Sequence, residues 1–128
     1  MNEKQKLEIS QKNVLALAFM GDAFMSFVVS SAIVGNTDKN ANQLHNQTSR
    51  MICAKRQSKL YNKYYDAFDH FEKGVADRAF NAKIGTVPRS ASMKEYREAT
   101  ALEAVLGFLY FCGEGTRAIT FMDVEELC

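Results

Sequence analysis

A run of twenty-two mostly apolar residues, 14–35, contains a single charged side chain, Asp22. The run is long enough to span a membrane, but an ionised Asp in hydrocarbon costs roughly 2.5–3.5 kcal/mol, and Gly21 and three serines interrupt it. The preceding residues mix both charge signs, unlike the short basic start of a signal peptide. We therefore expect the run to form a core helix of a globular domain.

Length and composition favour one compact domain. The chain has 128 residues, of which 47% are hydrophobic and one is proline, and this is enough for a single core. We expect residues 1–128 to form that domain, with 1–12 as a candidate mobile N-terminal segment. The net charge of +1 does not mark the whole molecule as a polyanion binder, so any nucleic-acid site must be local.

The cysteines give no sign of a metal or disulfide framework. Cys53, Cys112 and Cys128 are odd in number, far apart and without a CxxC pair, and the chain has only two histidines. We therefore expect neither a structural zinc site nor a disulfide network, and a reducing cytoplasm suits the chain.

Helix-forming patterns dominate the chain, and the expected fold is all-α. The first helix should cover 14–34, with Gly21 as a point where it could break, and should end at the turn-forming residues 35–38. A long second helix is expected next, with Asp38, Asn40 or Asn42 as its N-cap and apolar residues spaced along 44–60. A third helix is expected from Tyr64 to about Phe80.

The second half of the chain contains one clear irregular stretch, 81–90. A glycine, a β-branched pair and the only proline lie there, and none of these favours a helix, so we expect an ordered surface loop. Ser92 and Glu95 have the spacing of a capping box, which predicts a helix that runs to Cys112 and ends at the two glycines that follow. A short terminal helix is expected over 118–127.

Asp22 and Glu103 are isolated acids in apolar helical segments. Glu103 is the only acid or base between 99 and 113 apart from a tyrosine and a cysteine, and it lies inside or at the edge of the core-facing arc. A buried unpaired carboxylate costs several kcal/mol, so each acid needs a partner. If the two helices pack side by side, Mg²⁺ could serve both acids, because it needs only one or two protein carboxylates.

Structural explanations of the two acids also stay open at this point. Asp22 follows Gly21 and could be a helix N-cap. Glu103 could pair with a buried arginine such as Arg97 or Arg78. The isolation of the two acids favours neither these explanations nor a metal site.

Two segments resemble the two halves of the ribonuclease III catalytic signature, and they occur in the right order: Ala18-Phe19-Met20-Gly21-Asp22-Ala23 and Thr100-Ala101-Leu102-Glu103-Ala104-Val105-Leu106-Gly107. Other segments are similar to the Mini-ribonuclease III branch of that family: Asn42-Gln43-Leu44-His45, Ala54-Lys55, Asn81-Ala82-Lys83-Ile84-Gly85-Thr86-Val87-Pro88-Arg89 and Tyr96-Arg97. Ordered matches over about residues 14–112 are hard to obtain by chance.

The resemblance implies an all-α ribonuclease III endonuclease domain that forms a homodimer and has no separate double-stranded-RNA-binding domain. It implies cleavage of double-stranded RNA with Mg²⁺, or Mn²⁺ as a substitute, to give 5′-phosphate and 3′-hydroxyl ends. It further implies maturation of large-subunit ribosomal RNA in the bacterial cytoplasm, with a ribosomal protein as a candidate partner. By position, Asp22 and Glu103 would be the catalytic acids and metal ligands that activate the attacking water.

Basic residues around the irregular loop supply the local patch that an RNA enzyme needs. A-form RNA is recognised mainly through phosphates and 2′-hydroxyls, which flexible basic side chains can contact. The same cluster could instead be an ordinary solvated surface. The candidates for RNA binding, some carried over from the family match, are Arg78, Asn81, Lys83, Arg89, Arg97, Lys55 and His45.

The chain departs from the family pattern at four positions. Larger ribonuclease III enzymes place further acids where this chain has Ala18 and Thr100, so metal binding should depend more on RNA phosphates. Ser26 stands where a Glu is common in the Mini branch, and Phe80 where a basic residue often precedes the Asn. These departures keep open a non-catalytic RNA-binding or ribosome-associated module. A bundle holding two transition metals is a third hypothesis, but the chain lacks the Glu-x-x-His pairs of such bundles.

Overall fold

The structure is a computed structural model that describes residues 1–35, 37–83, 85–87 and 89–127. Asn36, Ile84, Pro88 and Cys128, which the sequence predictions include, lie outside the described residues. Within these ranges every regular element is a helix, as predicted. The α-helices are α1 (Glu3–Ser10), α2 (Val14–Gly35), α3 (Ala41–Met51), α4 (Ala54–Tyr64), α5 (His70–Phe80), α6 (Met93–Phe111) and α7 (Gly115–Thr120), with 3₁₀ helices at Tyr65–Ala67 and Val124–Leu127.

Helix α6 lies at the centre of the fold and packs against α2, α4 and α5. It begins as predicted, because the Ser92 hydroxyl accepts from the Glu95 amide at 3.0 Å and the Glu95 carboxylate accepts from the Ser92 amide at 2.9 Å. From position 98 to 109 every residue except Glu103 is buried. The helix ends one residue before Cys112, where Gly113 adopts a φ of +72° that other residues rarely adopt.

Helix α2 runs unbroken through Gly21, so the break considered there is wrong. A side chain at Gly21 would place its Cβ 2.6 Å from the carbonyl carbon of Glu103, and one at Gly107 would come within 2.8 Å of the Leu17 carbonyl carbon. The backbones of α2 and α6 therefore touch where the two helices cross. Gly21 is present because of this close approach between helices, not because the helix ends.

The outer face of α2 carries much of its apolar surface. The helix is long and apolar enough to cross a membrane by length and composition, and 33% of its most apolar window is buried in the fold. Phe19 and Phe27 remain 79% and 74% exposed, whereas Leu17, Met25 and Val29 on the other side are buried. The buried side of α2 packs in the core of a helical domain, as expected. The exposed side is left without a partner within the described part of the chain.

The expected long second helix is instead two helices, α3 and α4. The prediction of its N-cap is confirmed at Asn40, whose side chain forms a capping box with Gln43. The helix stops because Cys53 is extended, with φ −70° and ψ 157°. The Ile52 carbonyl at this break accepts a hydrogen bond from the Gln57 side chain at 2.7 Å. This bond replaces the one that a continuous helix would have given the carbonyl.

The remaining boundaries differ from prediction for local reasons. Helix α5 starts six residues later than expected, because Asp69 and Glu72 form a capping box that the apolar spacing concealed. Glu72 is completely buried and pairs with Arg117 through two hydrogen bonds of 2.7 and 2.8 Å. Arg117 lies in α7, which begins at Gly115. The terminal helix expected over 118–127 is instead two shorter helices, α7 and the 3₁₀ helix Val124–Leu127.

The N-terminal segment, expected as mobile, contains helix α1. Asn2 and Gln5 form a capping box at its start. The Lys6 ammonium lies 3.0 Å from the Glu114 carboxylate, and the Arg78 guanidinium donates to the carbonyl of Ser10. These contacts hold α1 against the body of the fold, and they involve partners far away in sequence.

Candidate active site

Asp22 and Glu103 meet where α2 crosses α6. Gly21 brings the two backbones together, so the next residue, Asp22, lies beside Glu103, and the two carboxyl groups form a hydrogen bond. Asp22 is exposed and Glu103 is partly buried. The structure therefore brings together the two acids that the sequence singled out, although Asp22 is more open to solvent than its apolar run suggested.

The structural alternatives for these acids do not hold. Asp22 lies in the third turn of an unbroken helix and is not an N-cap. Arg97 donates to the carbonyls of Phe80 and Ala82, at 2.6 and 3.1 Å, and Arg78 donates to main-chain carbonyls elsewhere. Across the described ranges, neither acid forms an ion pair with a basic side chain.

The surroundings of Glu103 favour its protonated form. Burial, the charge of Asp22 and the hydrogen bond between the two carboxyls raise the pKa of Glu103 to about 8, and a hydrogen bond from Gln57 opposes this rise. Two close acids without a nearby cation cannot both ionise cheaply. A positive charge between the two carboxylates would therefore favour the ionised form of both acids.

We expect this pKa to make the metal-free protein less stable as pH rises. Between about pH 4.5, the pKa of an ordinary Glu, and about pH 8, the folded protein holds a proton that the unfolded chain has lost. The free energy of unfolding therefore falls across this range. The Glu103→Gln variant should show a flatter profile and exceed the unchanged chain at the alkaline end. Urea unfolding with a chelator present, repeated across the range, measures this, and equal slopes for both proteins would contradict it.

Two adjoining pockets open on the acid pair. Their volumes are about 450 Å³ and about 190 Å³, and both are lined by Asp22, Tyr96, Thr100 and Glu103. The larger pocket is completed by Leu15, Ala18, Phe19, Lys83 and Gly85, and the smaller by Ile52, Ala54, Gln57 and Ala99. The acids thus face an accessible space with a lysine from the irregular loop on one side.

Sequence reasoning missed Gln57 and Tyr96 as members of this site. Tyr96, Thr100 and Glu103 are spaced by four and three residues along α6, and this spacing places them on one face of the helix. That periodicity was a usable signal for Tyr96. Gln57 gave none, because its position depends on the break between α3 and α4.

Ala18 and Thr100, two of the positions where the chain departs from the pattern that it resembles, line the larger pocket. Ala18 is buried there, and the Thr100 hydroxyl donates to the Tyr96 carbonyl at 2.9 Å. In the described part of the chain no group of three or more His, Cys, Asp or Glu side chains is close enough to hold a metal ion. The site therefore has two carboxylates only.

The candidate RNA-binding residues fall into two groups. Lys83 lines the larger pocket. At the start of α6 the pKa of Glu95 is lowered mainly by its hydrogen bonds with Ser92, and the charges of Lys55 and Lys59 lower it further. Arg89 and His45 are exposed.

The other candidates bond to the protein backbone. Asn81 donates to the Asp77 carbonyl at the end of α5, at 2.8 Å. Arg97 holds the beginning of the irregular loop through its two carbonyl contacts. Arg78 lies with Ser10 and His70 in a different groove, between α1 and α5, and is not a neighbour of the acid pair.

Comparisons with known proteins identify the family of the chain. Residues 15–114 match the ribonuclease III domain family. The chain is 36% identical to Mini-ribonuclease 3 of Thermoanaerobacter sp. (strain X514), with 87% of this chain and 78% of that protein covered. It is 34% identical to Mini-ribonuclease 3 of Staphylococcus aureus (strain NCTC 8325 / PS 47), with 86% and 84% covered.

A solved structure is similar along nearly the whole chain. It is a crystal structure of a protein from Fusobacterium nucleatum, with a TM-score of 0.83 and 31% identity, covering 91% of this chain and 93% of that one. The extent of the family match and the identity to several relatives lead to one conclusion, which confirms the resemblance seen in the sequence. The chain belongs to the ribonuclease III family, in the branch whose members are named Mini-ribonuclease 3.

Proposed function

We propose that the protein is a magnesium-dependent endoribonuclease that cleaves double-stranded RNA and acts in the cytoplasm on precursors of large-subunit ribosomal RNA. The observation that carries the proposal is the pair formed by Asp22 and Glu103 in an open pocket beside Lys83. Membership of the ribonuclease III family supports the reaction class. The names of the relatives support the choice of RNA as substrate.

The residues of the pocket fit Mg²⁺. The ion prefers oxygen ligands, and it is bound by one or two carboxylates while water and substrate phosphate fill the other positions. Asp22 and Glu103 supply two carboxylates, and the buried Oε1 of Gln57, on the lining of the smaller pocket, has no hydrogen-bond partner among the described residues. With only two acids, the phosphates of bound RNA should complete the site.

When bound, Mg²⁺ would lower the pKa of a water molecule and neutralise charge on the phosphate. Asp22 and Glu103 would hold the ion, and Glu103 would release the proton it carries in the metal-free protein. The attacking water would lose a proton to solvent and form a bond to phosphorus while the bond from phosphorus to the 3′-oxygen breaks. The leaving 3′-oxygen would take up a proton from solvent. The products are a 5′-phosphate and a 3′-hydroxyl end.

Exposed basic residues would hold the RNA. Lys83 reaches the pocket, and Lys55, Arg89 and His45 are exposed side chains available to phosphates. Arg97, Arg78 and Asn81 bond to main-chain carbonyls, so we propose that they support RNA binding mainly by shaping α5 and the loop that follows it. We therefore propose two kinds of contribution to RNA binding: direct contact with phosphates and support of the protein backbone.

We further propose that the protein acts as a homodimer joined through the exposed face of α2. Leu15, Phe19, Phe27 and Val34 are exposed and fall within about 120° of helix surface. Exposed apolar residues in one stripe are typical of an interface. Asp22 lies at the edge of the same stripe, so a second copy would bring two acid pairs close enough to serve the two strands of one duplex.

The Phe27→Glu variant is expected to be monomeric. A charged side chain at a residue that is 74% exposed costs the isolated fold little, but it would be buried in the proposed interface. Light scattering after gel filtration should give the mass of two chains for the unchanged protein and of one for the variant. Leu7→Glu, on the exposed surface of α1, is the matched control and should remain dimeric. A dimeric Phe27→Glu protein would contradict this interface.

A cleavage assay tests the proposed activity. The purified protein is incubated with Mg²⁺ and either a fully paired RNA or one of its strands alone. Discrete fragments with 5′-phosphate ends from the duplex, and none from the single strand, are expected. Binding of the duplex without any cutting in Mg²⁺ or Mn²⁺ would reject the nuclease.

The second candidate function is a non-catalytic RNA-binding or ribosome-associated module. The missing acids at Ala18 and Thr100 favour it, because they reduce the charge available for metal. Ser26 also favours it, as a departure that bears on RNA affinity and dimer contacts. Phe80 does not, since its side chain packs against the core and its departure from the family pattern is explained by packing. The same assay distinguishes the two functions.

A further inference from the structure

Gln57 links the acid pair to the break between α3 and α4. Its side chain is 3% exposed. The amide nitrogen donates to the Ile52 carbonyl at 2.7 Å. The same side chain lines the smaller pocket beside Glu103 and lowers the pKa of that carboxyl. A carbonyl can only accept, so the nitrogen must face Ile52, and this fixes the orientation of the amide.

The other end of the amide lacks a partner. Within the described residues, Gln57 Oε1 is buried and accepts no hydrogen bond. A buried acceptor without a partner costs about as much as a lost hydrogen bond, so folded proteins rarely leave one. Gln57 lines the smaller pocket with Asp22 and Glu103, and about 190 Å³ is ample room for water.

We propose that Gln57 is a positioning residue of the acid pair: its Nε2 group holds the Glu103 carboxylate, and its Oε1 atom accepts a hydrogen bond from a water molecule in the pocket. This inference rests on the proposed function, because it gives Gln57 a role in preparing the cation site. The neighbouring buried residue, Ser58, contacts a different acid, Glu98, at 3.1 Å. Ser58 lines neither pocket, so the role belongs to one side chain and not to the helix as a whole.

Binding of Mn²⁺ alone, followed by its electron paramagnetic resonance signal, tests the inference without RNA or turnover. The Gln57→Met variant keeps the side-chain length and removes both polar ends of the amide. Loss of groups that orient metal ligands typically costs 10–100-fold in affinity or activity, so we expect Mn²⁺ to bind at least about tenfold more weakly. Ser58→Ala should bind Mn²⁺ like the unchanged chain.

A second readout separates positioning from structural damage. In single-turnover cleavage, the Mg²⁺ concentration for half-maximal rate should rise about tenfold in Gln57→Met, with the affinity for RNA unchanged. Circular dichroism melting confirms that the variant is folded. If it is not, Gln57→Asn replaces it, because the shorter amide cannot reach Ile52 and Glu103 together and should weaken Mn²⁺ binding in the same way.

The outcomes distinguish this inference from the proposed function. A folded Gln57 variant that binds Mn²⁺ as tightly as the unchanged chain, with the same Mg²⁺ dependence, overturns the role of Gln57 and leaves the nuclease intact. An unchanged chain that neither binds Mn²⁺ nor cleaves RNA removes the proposed function and this inference together. Weakened binding in Gln57→Met but not in Ser58→Ala supports it.

Discussion

Asp22→Asn and Glu103→Gln should each reduce the single-turnover rate of duplex RNA cleavage by more than about 100-fold. Loss of groups that only orient metal ligands costs 10–100-fold, so loss of a ligand itself should cost more. Both substitutions keep the shape of the side chain and remove its charge. RNA binding, measured by filter retention in a chelator, should stay close to that of the unchanged chain, because phosphates are held by basic side chains.

Glu95→Gln is the matched control for the acid variants. It removes an acid from the same helix, and glutamine can also complete the capping box at the start of α6. Its cleavage rate at saturating RNA should remain within about twofold of the unchanged chain, since Glu95 lines neither pocket of the acid pair and salt screens its charge. An Asp22→Asn or Glu103→Gln protein that cuts as fast as this control would show that the two acids do not carry the reaction.

Gly21→Ala should destabilise the protein by about 3 kcal/mol, at the upper end of the usual cost of overpacking a core. The new methyl group would overlap the main chain of Glu103, which cannot move without separating α2 from α6. Alanine favours a helix by about 1 kcal/mol over glycine, and this gain offsets only part of the loss. Because the contact is with Glu103, the residual folded protein should also cleave RNA poorly.

Gly74→Ala provides the comparison. Gly74 lies inside α5, and a side chain there meets no atom within 4 Å. It should stabilise the protein by about 0.5–1 kcal/mol, because alanine loses less backbone entropy than glycine. Urea unfolding of both variants measures the difference. A Gly21→Ala protein as stable as Gly74→Ala would mean that α2 and α6 are not in backbone contact.

Much of the helical layout follows from local sequence. The capping boxes at Asn40 and Ser92 place two helix starts, and the positive φ at Gly113 explains one end. Asp69 and Glu72 have the same capping-box spacing at the start of α5. The apolar spacing upstream predicted an earlier start and was the poorer guide. Local hydrogen-bonding groups were better guides to these boundaries than hydrophobic periodicity.

Other features depend on contacts between distant parts of the chain. The division between α3 and α4 is supported by Gln57 and Ile52, and α1 is held by partners on α5 and near α7. Gly21 looked like a helix breaker, because only the position of α6 shows why a side chain is excluded. Periodicity within one helix contains no information of this kind.

The two acids could be found from the sequence, because each is isolated among apolar residues in a helix. Their partner could not be identified from the sequence, because Arg97 or Arg78 could equally have formed an ion pair with Glu103. The structure places both guanidinium groups on main-chain carbonyls and leaves Asp22 and Glu103 next to each other. The arrangement of the two arginines therefore removes one structural explanation of Glu103, and it is compatible with the proposed metal site.

We propose that a cation at Asp22 and Glu103 is required to cut paired RNA. The most direct measurement is the cleavage of a duplex by protein freed of metal with a chelator, before and after Mg²⁺ is returned. No fragments are expected before addition and discrete fragments afterwards, with the duplex bound in both cases. Cutting that continues at the same rate without divalent metal would contradict it.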